Sequence, residues 1–455
     1  MNTTQEINLG EGSVGRLLFR LALPAITAQI INVLYNIVDR MYIGHIAGIG
    51  ADALTGVGVT MPVLMAISAF AALVSMGGAP RASIMIGKGD HRQAEKILGN
   101  CTAALIAVAV ILTAVFLAFG EPILMLFGAS DQTIGYAWEY LQVYVMGTLF
   151  VQLAMGLNAF INAQGYAKIG MCTILIGAVC NIILDPIFIF GFDMGVRGAA
   201  LATILSQGVS ALWVLRFLRS EKSFLRIRRE NLRIEANVLL PCMALGISPF
   251  IMQFTESVLS VSFNTSLFQY GGDTAVGAMT ILSSVMQFSM LPLQGLSQGA
   301  QPIISYNYGA GKMDRVAEAF KILLLTCLSF SGAVWLICML APQLFVGMFT
   351  NEAALAEYSI WAMRIYMAVS VLFGAQLACQ QTFIALGNAK ISIFLALLRK
   401  VILLIPLIFI LPNFFEDKVM AVFLAEPVSD FIAVSVTVTT FVVTFRKIRR
   451  FGETC

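Results

Sequence analysis

About twelve long apolar runs, parted by short segments that hold most of the charge, govern what this chain can become. They fall near 17–43, 53–80, 97–119, 132–160, 168–190, 197–219, 238–268, 274–304, 317–340, 354–384, 390–412 and 418–445. A helix needs about 20 apolar residues to cross the hydrocarbon core of a bilayer, and each run is that long or longer. The runs lack period-two alternation and exceed the length of a barrel strand. Hydrophobic residues make up 59% of the 455 positions and charged residues 12%, against about 45–50% and about 25% in soluble domains. The expectation is an all-α polytopic membrane protein of about twelve transmembrane helices. Its first run is longer than a signal-peptide core of about 7–15 residues, so it is read as a retained helix.

Basic residues set the expected orientation. Arg16, Arg20, Lys88, Arg92, Lys96, Lys312, Arg315, Arg446, Lys447 and the central cluster Arg226, Arg228, Arg229 and Arg233 all fall on one side. Only Arg197 and Lys418 fall in segments on the other side. Both termini are therefore expected in the cytoplasm.

The two halves repeat. Phe127, Tyr144, Gly165 and Ala167-Lys168 recur as Phe349, Tyr366, Gly387 and Ala389-Lys390, all at an offset of 222. Gly87-Lys-Gly recurs at that offset as Gly309-Ala-Gly. An even number of spans in each half makes the repeats parallel, related by an axis along the membrane normal. The expected organisation is an N-terminal six-helix bundle over 1–220, a basic linker over 221–237 and a C-terminal six-helix bundle over 238–455.

Several functional classes fall away. The net charge of +3 is small, and its basic residues suit anionic lipid headgroups rather than nucleic acid. The eight cysteines form no CxxC pair and read as small apolar residues. His45 and His91, the only histidines, lie near loops, and no cluster of catalytic type accompanies them. Gly87-Lys-Gly-Asp90 lacks the spacing of a phosphate loop. The chain is read as a non-enzyme without a cofactor, a monomer in lipid.

Ionisable groups inside a bilayer cost about 2.5–3.5 kcal/mol each at a helix centre on insertion scales, so they are functional candidates by default. At about 1.5 Å per residue, Asp39 and Asp185 each lie about 8 Å from the outer ends of the first and fifth spans. Thr203 lies at a similar depth on the sixth span, and Asn181 is one turn from Asp185 on the same face. Two carboxylates, an amide and a hydroxyl can ligate Na⁺ or carry a proton on one carboxyl group. Pro186 frees a backbone carbonyl beside Asp185. Glu256, Arg399, Lys400, Glu426 and Asp430 share a depth in the second half, as buried ion pairs or as pairs that break in transport. Gln29, Tyr35, Asn36, Asn158, Asn162, Gln253, Glu256 and Gln287 are candidates to line a substrate cavity or to bond helix to helix.

Asn36-Ile-Val-Asp39-Arg-Met-Tyr-Ile-Gly44, Asn181-Ile-Ile-Leu-Asp-Pro-Ile-Phe188 and Gly195-Val-Arg-Gly-Ala-Ala-Leu-Ala-Thr203 resemble the multidrug and toxic compound extrusion (MATE) family. So do Ala53-Leu-Thr-Gly-Val-Gly58, Gln298-Gly-Ala-Gln-Pro302 and Asn307-Tyr-Gly-Ala-Gly311. The resemblance implies a V-shaped pair of six-helix bundles that exports organic, often cationic drugs in exchange for H⁺ or Na⁺, and a location in a bacterial cell (inner) membrane. It places the cation or proton site on Asp39, Asn181, Asp185 and Thr203, and puts Glu256 where some members carry a functional glutamate. Gln376, Gln380 and Gln381 stand where those members have an acid in helix 10, which leaves a second coupling site unsupported. The rival expectations are a lipid-linked saccharide flippase, which would need an arginine-lined cavity, and a major-facilitator-type transporter.

Overall fold

The structure is a computed structural model that describes residues 8–350 and 352–452; Cys455 lies outside them. Among the described residues nine helices are long and apolar enough to cross a membrane. They include α1 (Val14–Gly44), α2 (Gly50–Gly87), α3 (His91–Leu126), and then α5 (Ala167–Gly191) and α6 (Gly195–Arg219). Between them α4 is a bent pair, Ile134–Met146 and Thr148–Ala163, with 59° between its parts. One helical stretch, Ala236–Gly309, runs 74 residues. Straight, it would reach about 110 Å, more than three hydrocarbon cores. It reverses at Gly272, whose φ of 63° and ψ of −158° lie outside the helical region, and so supplies two spans, α7 (236–271) and α8 (273–309). Then come α9 (Met313–Leu340), the bent α10 (Ala353–Tyr366 and Ser370–Ala385, 52°), α11 (Ala389–Asn413) and α12 (Lys418–Gly452). The spans number twelve, as the apolar runs predicted.

The bends of α4 and α10 went unread in the sequence because composition does not change across them. At Gly147, where α4 breaks, an added Cβ would overlap the Ile204 side chain of α6, so a neighbouring helix is seated in the break. The ends of α2 and α3 also run past the predicted 53–80 and 97–119, because helical hydrogen bonding continues where hydropathy stops.

The bundles meet along α1, α2, α7 and α8, and glycine makes the approach possible. A Cβ on Gly87 would overlap the Tyr306 carbonyl oxygen, and one on Gly309 would overlap that of Ile84. These two contacts exchange under the 222-residue repeat, so they lie on the pseudo-twofold axis. Gly77 meets Cys242 and Gly246 meets Leu73 in the same manner between α2 and α7. Gly295 and Gly299 of α8 leave room only for Ile26 and Ala22 of α1. Each Gly-x-Gly loop thus divides its labour. The first glycine admits the other bundle; the second, Gly89 or Gly311, takes a φ of 79° or 73° and ends its helix. The Asp90 side chain then accepts the Gln93 backbone N–H at 3.0 Å and caps α3.

Towards the opposite end the bundles part. Phe288 lies about 20° around α8 from Gly295, on the side that faces α1, yet is 55% exposed. Val261 is about 60° from Gly246 on α7 and 66% exposed. The result is a V whose closed end carries the segment before α1 and the linker.

Two straps cross that closed end. Leu9 and Gly10 offer their carbonyls to Asn307 Nδ2 (2.9 Å) and Lys312 Nζ (3.0 Å), and Arg315 donates to the carbonyls of Glu11 (3.1 Å) and Gly12 (2.8 Å). The repeat-related segment before α7 docks on α3: Arg228 Nε meets Glu95 at 2.6 Å and Lys96 Nζ meets Glu235 at 2.6 Å. Each half thereby ties its own entry segment to the other half. Arg315→Ala removes the two hydrogen bonds to Glu11 and Gly12 and a third, from Nε to Asn307 Oδ1 at 3.1 Å, and should destabilise the protein by about 1–2 kcal/mol. A lower thermal midpoint in detergent is the expected reading, and an unchanged one shows the strap to be idle.

Of the seven described cysteines, all free, Cys101, Cys242, Cys327, Cys338 and Cys379 are buried; Cys172 and Cys180 are half-buried.

Candidate functional site

The turn of α5 that carries Asp185 takes its shape from Pro186 and the residues after it. Pro186 has no N–H to give to the Ile182 carbonyl, and residues Ile187–Gly191 continue as a π-helical turn. Gly198 lets the start of α6 come against this turn: a Cβ there would stand 2.7–2.9 Å from the backbone of Phe188 and Ile189. That contact aligns Thr203 of α6 with Asn181 of α5. Asn181 Nδ2 donates to Asp185 Oδ1 at 3.1 Å and to Thr203 Oγ1 at 3.4 Å. The Thr203 hydroxyl itself donates to the Ala199 carbonyl at 3.0 Å.

Asp39 reaches the same cluster from α1. Its carboxyl group lies beside that of Asp185. Asp39 is 9% exposed, Asn181 2% and Asp185 0%. Arg40, its neighbour in sequence, points away with an exposed side chain. The four residues named from helix counts therefore do come together, on three helices.

Three buried oxygens in this cluster accept from no donor among the described residues: Asp39 Oδ1, Asn181 Oδ1 and Asp185 Oδ2. A buried acceptor left unpaired is costly, and two carboxylates in contact repel unless a positive charge lies between them. A proton shared by the two carboxyl groups removes the repulsion. A small monovalent cation would do so too, with oxygen ligands of the kind a hard ion takes.

Two aromatic residues that the sequence did not mark as part of the site complete the wall. Tyr140 and Tyr144 of α4 are buried and stack with ring centroids 6.0 Å apart. The Tyr140 hydroxyl lies near Thr203. Their spacing of four residues is one turn of a helix, a signal easily missed because aromatics are common in lipid-facing runs. Tyr35 of α1 is half-buried near the two carboxyls.

The other cavity candidates scatter. Gln29 and Asn36 are half-buried on α1, and Asn36 Nδ2 donates to the Asn32 carbonyl at 2.6 Å. Gln253 is half-buried on α7 and Gln287 exposed on α8. Asn158 and Asn162 serve α4 and α5 instead of the cleft. Asn158 Nδ2 donates to the Gly170 carbonyl at 3.3 Å, and Asn162 fills the space a Cβ on Gly170 would take. Amides inside a bundle bond the nearest carbonyl, and the glycine of α5 offers one.

In the second bundle the charges pair. Arg399 Nε contacts Asp430 at 2.6 Å and its Nη2 contacts Glu426 at 3.5 Å, while Lys400 Nζ contacts Glu256 at 2.6 Å. The π-helical turn Leu398–Leu404 widens α11 where Arg399 and Lys400 stand.

The sequence model of the MatE family matches residues 24–187 and 249–410, one stretch in each half. The multidrug export protein MepA of Staphylococcus aureus (strain N315) is 27% identical over 406 residues, 88% of either chain. Its counterpart in Staphylococcus haemolyticus (strain JCSC1435) is 24% identical over 435 residues, 95% of either chain. A MATE crystal structure in the bent conformation superposes with a TM-score of 0.92 at 21% identity, over 99% of this chain and 100% of that one. The outward-facing conformation of a multidrug resistance MATE family transporter of the MOP superfamily gives 0.90 at 22% identity, over 98% and 99%. At such identities the structures share the fold.

Proposed function

Because this chain belongs to the MatE family, we propose that it is a secondary active transporter that exports organic cations by antiport with H⁺ or Na⁺. One observation carries the coupling: the three buried oxygens of Asp39, Asn181 and Asp185 that lack a donor. The basic residues beside the closed end of the V support placing that end, and both termini, in the cytoplasm of a bacterial cell. The cleft then opens outward.

The energetics suit exchange. Moving one monovalent cation outward against 100 mV costs about 2.3 kcal/mol. One inward proton or sodium ion cancels that electrical cost, and its concentration gradient drives the rest. In this scheme the entering ion neutralises the Asp39–Asp185 pair, α1 repacks against α5 and α6, and the cleft releases its cargo.

A flippase of the same architecture needs a cationic cavity for phosphate groups. Arg399 and Lys400 are instead matched by three carboxylates, which favours positively charged cargo.

The test is efflux of a cationic dye from proteoliposomes with the proton and sodium gradients imposed one at a time. Efflux should follow one gradient and stop when that gradient alone is dissipated. Dye release that ignores both gradients would overturn antiport.

A further inference from the structure

Glu256 differs from Glu426 and Asp430, the other acids of its cluster, in being reachable. Its side chain is 57% accessible, whereas that of its partner Lys400 is 8% accessible; those of Glu426 and Asp430 are 3% and 1% accessible.

The accessible side of Glu256 is toward the cleft and away from lipid. On α7 the residues that touch α2, Cys242, Gly246 and Phe250, mark the direction of the other bundle. At about 100° per residue, Glu256 lies about 80° to one side of Gly246. The exposed Leu240 and Val258 lie about 120° to the other side. The flank that carries Glu256 continues toward α10, since Ser248 and Met252 receive Gln380 there. Glu256 thus stands on the wall where the cleft meets the interior of the second bundle.

What occupies it is an ammonium group of the chain itself, a compact cation with three donors on a flexible stem. The surrounding cluster holds three carboxylates, Glu256, Glu426 and Asp430, but two cations, Arg399 and Lys400. Arg399 bonds Asp430 tightly and Glu426 at 3.5 Å. Glu426 therefore keeps acceptor capacity, and it contacts Arg399, the residue next to Lys400 on α11. A lysine driven off Glu256 has a second seat within the bundle.

We propose that Lys400 is a tethered competitor for the cargo site: its ammonium holds the Glu256 carboxylate when the cleft is empty, and an entering organic cation displaces it toward Glu426. This deepens the export reading and rests on it for the cargo class. Cargo and lysine then exclude each other at one carboxylate. The competition weakens binding on purpose, since an exporter must let its cargo go, and the returning lysine ejects it.

The experiment measures binding of tetraphenylphosphonium, which has no hydrogen-bond donor, to the purified full-length protein in detergent without any ion gradient. Lys400→Met should bind it at least tenfold more tightly than the wild type. Lys400→Gln keeps a donor to Glu256 without the charge and should show the same gain, which guards against a folding defect in the first variant. Lys400→Arg keeps the charge and should bind weakly like the wild type. Glu256→Gln should bind poorly with or without Lys400→Met. A merely structural ion pair predicts the reverse pattern: a lower thermal midpoint in the lysine variants and no gain in affinity, which would overturn the proposal. If neither the wild type nor any variant binds the probe while cells still export a cationic dye, the proposal falls and the export reading stands. If cells export nothing but the lysine variants bind more tightly, the export reading falls and the competitor stands.

Discussion

Asp39→Asn should lower export to the leak of membranes that lack the protein. The substitution preserves shape and the ability to bond Asp185, and it removes one charge from a pair in contact. A unit charge at about 4 Å in a medium of effective dielectric about 20 is worth about 4 kcal/mol, roughly a thousandfold in the affinity of the site for a positive ion. An asparagine there imitates a permanently protonated acid, so the site can neither load nor unload its ion. Because Asp39 is buried among helices of one bundle, expression and thermal midpoint should stay near those of the wild type. Asp185→Asn should do the same, and the double variant should be no worse than either, since the two acids act as one unit. Undiminished dye efflux from an Asp39→Asn protein would remove the pair from the mechanism.

The second large effect is mechanical. Gly87→Val places branched carbon where the Tyr306 carbonyl of the other bundle now lies. Tyr306 lies inside α8 and Gly87 still belongs to the last turn of α2, so both backbones resist and the bundles must separate at the end of the V that is now closed. Overpacking of this kind costs about 1–3 kcal/mol, and here it falls wholly on the closed arrangement. A conformational ratio should move by a factor of about 5–150. Export should fall at least tenfold, and spin labels at Lys88 and Lys321 should report a longer distance. Gly309→Val should repeat the result, because the pseudo-twofold axis exchanges the two contacts. A wild-type distance together with wild-type export would show that the approach of these glycines is incidental.

The candidate site was legible in the sequence to an unusual extent, for a simple reason. Charges are so costly in lipid that Asp39 and Asp185 stand out from the apolar runs, and helical rise puts them at one depth. The i, i+4 spacing of Asn181 and Asp185 places them on one face without knowledge of the fold. Tyr140 and Tyr144 were not legible, because an aromatic residue in a span is equally at home against lipid or against a buried hydroxyl. Asn158 and Asn162 carried the opposite ambiguity. Each could line a cavity or bond a helix, and only the presence of Gly170 opposite them decides for the helix.

Spacing and hydropathy alone determined the twelve spans, the repeat and the level of the buried acids, since these depend on chain periodicity and on the cost of putting charge in hydrocarbon. The tertiary structure alone decided what each polar group faces. It bent α4 where Ile204 wedges in and bent α10 as well, joined the halves through pairs of glycines on one axis, and gave Lys400 to Glu256 and not to the nearby Glu426. Such pairings depend on how helices rotate against one another, and a helix leaves no mark of that rotation in its own sequence.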